Sequence, residues 1–273
     1  MMPSAARFLL LLPCLLVLAL WGAGLGGILA QAGMAGRAEL VALTTGTTGI
    51  ILLRTHLMAL GVALVSLLIG YPVAAQMVRA PRRMGLLLAL LLAPLLTSVV
   101  VRTFGWMVLL GPHGAINAAL VALGLVATPV KLLFNATGVF LGLTEILFPF
   151  AVLSIYPARR RLEGAPLEAA ASLGAGPLRS FLFVVLPLTA SGLLSAFSIV
   201  YLLAVGAIVT PLMLGGPGSE TFGAMTYQTL FRYFDIPRGA LEAVALTLSC
   251  GVVLLPLRWL ERRLTRSMPG AAA

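Results

Sequence analysis

The sequence is poor in charge. Only 10% of its 273 residues are Asp, Glu, Lys or Arg, against about 25% in an ordinary soluble domain. With 60% of the chain apolar, a water-soluble globule of this size could not cover its surface. That balance excludes a soluble enzyme, a disordered chain and a disulfide-stapled fold, and leaves an integral membrane protein of the helical kind. Lysine is almost absent: Lys131 stands alone and follows Pro129-Val130, so no G-x-x-x-x-G-K-[ST] loop exists to cradle a nucleotide. The two histidines, His56 and His113, lie far apart with no cysteine beside them and no H-E-x-x-H. A zinc or haem site built from this chain is therefore not expected, and a nucleophile–histidine pair has little to draw on. Cys14 and Cys250 both sit inside apolar runs and read as small packing residues rather than a bridge. Neither catalysis nor a resident cofactor or metal is expected of this chain.

Long apolar runs are what the sequence has instead. Residues 8–36, 55–78, 84–101, 103–130, 180–219 and 243–257 carry no charge, and 132–157 carries only Glu145. A spanning helix needs about 20 residues. The runs predict an all-α membrane fold of six helices, at 8–29, 55–78, 84–108, 132–156, 183–206 and 240–259. Gly111-Pro112-His113-Gly114 is a turn signal that cuts 103–130, so its second half is expected to be a loop with a short helix. Residues 180–219 are too many for one span and too few for two, which predicts one span plus a re-entrant or interfacial piece. Arg7 followed by the apolar stretch 8–20 has the look of a signal peptide. The stretch runs on to Ala30, however, and five further helices follow, so an uncleaved first helix is expected. The chain divides into a first helix with its external linker (1–49), a membrane domain (50–260) and a tail (261–273). No internal repeat of the kind that builds many secondary transporters is evident.

The bases record topology. Arg7, Arg79, Arg82, Arg83, Arg159, Arg160, Arg161, Arg179, Arg258, Arg262, Arg263 and Arg266 fall on one side of the six predicted spans, and Arg37, Arg54, Arg102, Lys131, Arg232 and Arg238 on the other. Twelve against six puts both termini in the cytoplasm by the positive-inside rule. The net charge of +10 thus reports orientation in the lipid bilayer and gives no reason to invoke nucleic acid. Gly22-Ala23-Gly24-Leu25-Gly26-Gly27 satisfies G-x-G-x-x-G, but it lies in a membrane span with no strand before it and does not describe a dinucleotide site. Gly22-x-x-x-Gly26 and Gly138-x-x-x-Gly142 have the spacing that lets helix backbones approach closely. The alternative is the general abundance of glycine in membrane helices.

The cytoplasmic loop 159–182 does not read as a passive linker. Pro166 suits the first turn of a helix, where its missing N–H costs nothing. Leu167-Glu168-Ala169-Ala170-Ala171-Ser172-Leu173 are mostly helix formers, Glu168 complements the helix dipole, and Gly174 suits a left-handed helix end. A short helix with a small-residue surface outside the membrane is a docking element.

These residues carry a resemblance. Glu168-Ala169-Ala170, Gly174 three residues on, and Val184-x-Leu186-Pro187 after nine more match E-A-A-x-x-x-G-x(9)-[IV]-x-L-P. That resembles the signature loop of permease subunits of binding-protein-dependent ATP-binding cassette importers. Arg102-Thr103-Phe104-Gly105-Trp106, Leu109-Leu110-Gly111, Gly114-x-Ile116-Asn117, Gly70-Tyr71-Pro72-Val73-Ala74, Phe148-Pro149-Phe150 and Tyr156-Pro157 are similar to the spermidine/putrescine group of that family, over about residues 50–260. The resemblance implies a multi-pass permease of the bacterial inner membrane with no catalytic residue of its own. It implies partners: cytoplasmic ATPase subunits that use ATP and Mg, a second related permease, and a periplasmic solute-binding protein. It also implies that Glu168, Ala169, Ala170, Gly174, Leu186 and Pro187 couple the permease to the ATPase, and that the cargo is polyamine-like. Opine-like compounds, phosphonates and ferric iron are served by related permeases.

Glu145 is the acid the sequence places well inside a span, where charge is expensive, about 2.5–3.5 kcal/mol on insertion scales. It either faces a cationic solute or pairs with Arg102 or another polar group on a neighbouring helix. A proton- or sodium-coupled secondary transporter using Glu145 is the rival reading. Arg102, at the outer end of the third span, either snorkels to the interface or shapes an external gate. Trp21 and Trp106 read as interface anchors. Tyr227, Arg232, Tyr233 and Asp235 fall in the last external stretch, where a binding protein could dock.

Overall fold

A computed structural model of the chain describes residues 4–266, apart from 45, 163 and 164. The part of the expected tail beyond Arg266 lies outside the described residues, as does the side chain of Cys14. The described residues contain helices and no strand. In chain order the α-helices are α1 Ser4–Gly33, α2 Arg37–Thr44, α3 Gly46–Arg79, α4 Met84–Leu92, α5 Val99–Leu110, α6 Ala115–Ala122, α7 Ala136–Arg160, α8 Ala165–Ser172, α9 Pro177–Ser180, α10 Leu186–Val205, α11 Val209–Leu214, α12 Phe222–Phe231 and α13 Ile236–Arg266. Among the described residues, six helical stretches are long and apolar enough to cross a membrane: Leu15–Gly33, Gly46–Arg79, Val99–Ala122, Ala136–Arg160, Pro177–Val205 and Ile236–Arg263. The chain is a multi-pass membrane protein of the inner-membrane type.

α3, α7 and α10 pack together as the centre of the bundle. Lipid tails are as apolar as the side chains, so close packing rather than water exclusion holds such helices together. The contact is accordingly built on small residues: Ala59 and Ala63 of α3, Ala151 of α7 and Ala204 of α10 are all buried. A polar staple crosses the same bundle. The His56 ring meets the Tyr201 hydroxyl through Nδ1 at 2.7 Å and the Ser249 hydroxyl through Nε2 at 2.9 Å, which ties α3 to α10 and α13 with both ring nitrogens satisfied.

The third crossing departs from the single helix expected over 84–108. α4 ends at Leu92, a 3₁₀ turn occupies Pro94–Leu96, Thr97 and Ser98 are extended, and α5 starts at Val99. Pro94 lacks an N–H and so cannot continue the helical ladder. The Thr97 N–H and the Thr97 hydroxyl both donate to the Pro94 carbonyl, at 3.1 and 2.7 Å, which closes the turn.

The turn at 111–114 and the short helix α6 are where the glycine–proline signal put them. The reason they hold is Asn117, fully buried. Its amide donates to the carbonyls of Gly111 and Val130 at 3.0 Å each and accepts from Val130 N at 2.8 Å. Asn117→Ala leaves these backbone groups unpaired, at about 1–3 kcal/mol for each buried group so orphaned. The expected outcome is faster protease cleavage within 111–130 from the outer side of intact cells, with the rest of the chain resistant.

The short piece expected beside the span within 180–219, re-entrant or interfacial, corresponds to α11. The two glycine pairs behave differently around it. A Cβ on Gly142 would lie 2.5 Å from Leu214 Cδ1 and 3.0 Å from Thr210 Cγ2, both on α11, and one on Gly138 would lie 2.7 Å from the Leu132 carbonyl. Around Gly22 and Gly26 there is nothing within 4 Å. The first pair is a close-packing site within this chain and the second is not. The chain after α11 is pinned to α3: the Arg54 guanidinium donates to the Gly218 carbonyl, and Phe222 N donates to the Thr55 hydroxyl at 2.7 Å.

Candidate functional site

The loop 159–182 folds as a short helix with a defined end. α8 spans Ala165–Ser172 with Glu168 in its first turn, and the Ser172 hydroxyl donates back to the Glu168 carbonyl at 2.7 Å. Leu173 N donates to the Ala169 carbonyl at 3.1 Å and Ala175 N to the Ala170 carbonyl at 3.0 Å. Gly174 adopts φ +77°. This is the Schellman arrangement, in which a residue in the left-handed region lets the chain fold back on the last helical carbonyls. Glu168, Ala169, Ser172 and Gly174 are exposed, and Leu173 is 87% exposed. Ala170, by contrast, is buried, so the small-residue surface is narrower than the run of alanines suggests.

Behind the loop, the fifth span opens with Pro177–Ser180, widens into a π turn over Phe181–Val185 and becomes α-helical at Leu186. The Leu186 N–H reaches back five residues to the Phe181 carbonyl, the pairing of a π turn, and Pro187 next to it offers no N–H and crowds the carbonyl four residues before it. Leu186 and Pro187 thus form the joint between loop and span and are not part of the exposed helix.

Within the membrane, α5, α7, α10 and α11 leave a crevice of about 450 Å³. Leu143, Ile146, Leu147 and Phe150 give it a wall at i, i+3, i+4 and i+7 along the middle of α7, and Leu203, Gly206 and Thr210 close the other side. Arg102, in the first turn of α5, is the charged residue of this lining. Its Nε and Nη1 are buried and have no hydrogen-bond partner.

Glu145 is not brought to Arg102. It accepts a hydrogen bond from Trp106 Nε1 at 3.1 Å, on a different face of α7 from the crevice wall. Trp106 is partly buried against the central bundle, and Trp21 is 67% exposed. Nor is Glu145 the most enclosed acid. Glu242 of α13 is 1% exposed; its Oε1 accepts from Arg238 Nε at 3.2 Å while Oε2 has no partner. Its signal in the sequence was the i, i+4 pair Arg238 and Glu242, which falls at the edge of the last apolar run. At the start of α13, Asp235 accepts from Arg238 N at 3.2 Å, and the Tyr227 and Phe231 rings meet with their planes tilted by 35°. Asp235, Tyr233 and Glu220 border a separate hollow of about 250 Å³. Among the described residues no group of three His, Cys, Asp or Glu side chains could hold a metal ion.

Comparison with known proteins adds a lineage to this geometry. No family model matches the chain. The spermidine/putrescine transport system permease protein PotB of Escherichia coli (strain K12) is 34% identical over 215 residues, covering 78% of each chain. The molybdenum transport system permease protein ModB of Azotobacter vinelandii is 31% identical over 189 residues, 69% of this chain and 80% of the relative. Among solved structures, a bacterial ABC transporter involved in the import of the acidic polysaccharide alginate contains a chain that aligns with 95% of this one and 97% of its own length, with a TM-score of 0.66 at 18% identity. That last likeness is one of fold.

Proposed function

This chain belongs to the permease proteins of ATP-binding cassette transporters, and on that premise we propose that it is one of two membrane subunits of an ATP-driven importer. Residues 50–260 carry the pathway, and α8 passes the movement of a cytoplasmic ATPase subunit to the spans. The observation that carries this reading is α8 itself: a helix of eight residues, outside the bundle, exposing Glu168 and Ala169 and ended by Gly174. Exposed apolar Leu173 beside it suits a protein surface better than water. Coupling of this kind requires a rigid element that two sites bias in common, and the joint at Leu186-Pro187 connects α8 to the fifth span. A second related permease and a periplasmic solute-binding protein complete the assembly; the ATPase subunits, and not this chain, use ATP and Mg.

A polyamine is the cargo that likeness to PotB supports. The rival reading, a secondary transporter with Glu145 as its relay, is disfavoured because Glu145 is engaged with Trp106 away from the crevice.

The test is purification of the tagged chain from its native membranes in mild detergent, with mass spectrometry of what accompanies it. A stoichiometric ATPase subunit is expected, and its recovery should fall at least about tenfold when Glu168→Ala and Gly174→Val are combined, the scale of losing one or two charge-assisted contacts. A chain that purifies alone in several mild detergents would refute the coupling role.

A further inference from the structure

The end of the bundle where α3 and α7 finish carries bases without acids. Arg79 closes α3, Arg82 and Arg83 lie in the 3₁₀ turn Pro81–Arg83 that leads into α4, and Arg159 and Arg160 close α7. These ends stand side by side. Met77 of α3, Leu91 of α4 and Ile155 of α7 share one buried cluster, and the Tyr156 hydroxyl donates to Met84 Sδ at 3.3 Å. Among the described residues none of these arginines is paired with a carboxylate. Arg159 is only 4% exposed, and its Nε and Nη1 have no hydrogen-bond partner. Buried charge without a counter-ion is costly, so an anion is missing from this end. Arginines at helix ends commonly mark orientation alone, but those at the end of α13 have Glu261 beside them in the chain. Arg82 and Arg83 have no such neighbour.

Apolar surface continues from the two arginines along α4. Leu86 and Leu90 follow them at intervals of one turn on the same face. They are 63% and 64% exposed, and Arg82 and Arg83 are exposed as well. α4 has nine residues, of which Leu91 is buried. A helix of that length rises about 13 Å, close to one leaflet's half of a hydrocarbon core of about 30 Å, and the break at Pro94 ends it there. The strip therefore sets cations at headgroup level and an unpartnered apolar face at the level of acyl chains.

We propose that this corner of the molecule holds an anionic phospholipid, with its phosphate on the guanidiniums of Arg82 and Arg83 and an acyl chain along Leu86 and Leu90. Guanidiniums bind phosphate oxygens through two parallel hydrogen bonds, and basic pockets at the ends of membrane helices select anionic headgroups. Arg159 adds uncompensated positive charge behind them. The apolar strip is what suits a lipid and not a free phosphate. The occupant is neither cargo nor ATPase, so the site stands or falls apart from the permease reading.

The complete transporter is reconstituted into phosphatidylcholine vesicles that hold, in turn, a phosphatidylglycerol and a phosphatidylcholine probe with the same diazirine-bearing acyl chain, at equal mole fraction. Cross-links on residues 84–92 are then mapped by peptide mass spectrometry. They should be at least about tenfold more abundant with the phosphatidylglycerol probe, and Arg82→Gln combined with Arg83→Gln should lower that preference to about threefold or less, the scale of losing two surface charges beside an anionic lipid. The pair Arg258→Gln and Arg263→Gln on α13 removes the same charge and should keep the preference. Equal cross-linking by the two probes in the parent overturns the proposal, and does so even if the Arg82 and Arg83 double variant fails to accumulate. An equal loss in the α13 pair overturns it too, by making the preference a matter of net charge. So does an undiminished preference in the double variant, where loss of the ATPase subunits would mark the arginines as a protein contact. Abolition of the cross-links by sn-glycerol 3-phosphate at the probe's concentration would overturn it in favour of a free phosphate ester.

Discussion

Gly174→Val abolishes solute uptake in whole cells while the permease still inserts and accumulates in the membrane: that is the expected result, with a loss of about 100-fold or more. The magnitude comes from two contributions. Gly174 sits at φ +77°, where an L-residue costs roughly 1–2 kcal/mol and a β-branched one more. That alone depopulates the closed end of α8 by a factor of about 5–30. The second contribution is the exposed surface. Among the described residues, nothing beyond its immediate chain neighbours lies within 4 Å of a Cβ at Gly174, so a further steric demand there would belong to a partner that lies against the helix. A short series separates the two. Alanine is expected to lower uptake by about tenfold, and asparagine, which tolerates the left-handed region, to retain more uptake than alanine. An asparagine variant as inactive as valine, with the ATPase still bound, would place the demand on close approach instead of backbone conformation. Full uptake by the valine variant would remove α8 from the mechanism.

Gly142→Leu has the second large effect, on the fold and through it on transport. The position faces α11 with no room: Leu214 Cδ1 and Thr210 Cγ2 stand within 3.0 Å of where a Cβ would be. Overpacking a filled contact costs typically 1–3 kcal/mol, and a branched four-carbon side chain here must displace α11 as a whole. The purified permease should melt at least about 5 °C below the parent, given a shift of roughly 2–4 °C per kcal/mol for a chain of this order of size. Uptake should fall with it, because Thr210 lines the crevice. Gly22→Leu is the matched control. It lies in the same x-x-x spacing on α1, meets nothing within 4 Å, and is expected to leave the melting midpoint of the isolated chain within about 0.5 kcal/mol of stability of the parent. A Gly142→Leu protein that melts with the parent would show that α11 yields freely.

These two glycines illustrate how much of the molecule the sequence discloses. Both pairs have the same spacing in the same kind of apolar run, and only the position of α11 distinguishes them. Likewise, Pro94 was present in the third apolar run, but composition alone reads 84–108 as one continuous helix. Whether a proline kinks, breaks or merely begins a helix depends on the turn around it, and at this position the N–H and the hydroxyl of Thr97 both close a turn on the Pro94 carbonyl. Trp106 looked like an interface residue because an indole at a helix end commonly is one. Its partner Glu145 is 39 positions away on another helix, out of reach of any local pattern.

By itself, the sequence determined the class, the number of crossings and the short helix of the loop 159–182. The reason is that a bilayer leaves little choice: backbone groups must be paired within the segment, so about 20 apolar residues mean a helix. The end of α8 was legible for a similarly local reason, since a left-handed turn selects glycine. Only the tertiary structure decided what the charged and polar residues do inside the membrane. His56 meets Tyr201 and Ser249 across separations of 145 and 193 residues, Glu145 turns to Trp106, and Arg102 is left facing the crevice without an acceptor. In lipid, the worth of a polar side chain is set almost wholly by its partner, and partners on different spans are chosen by packing rather than by neighbours in the chain.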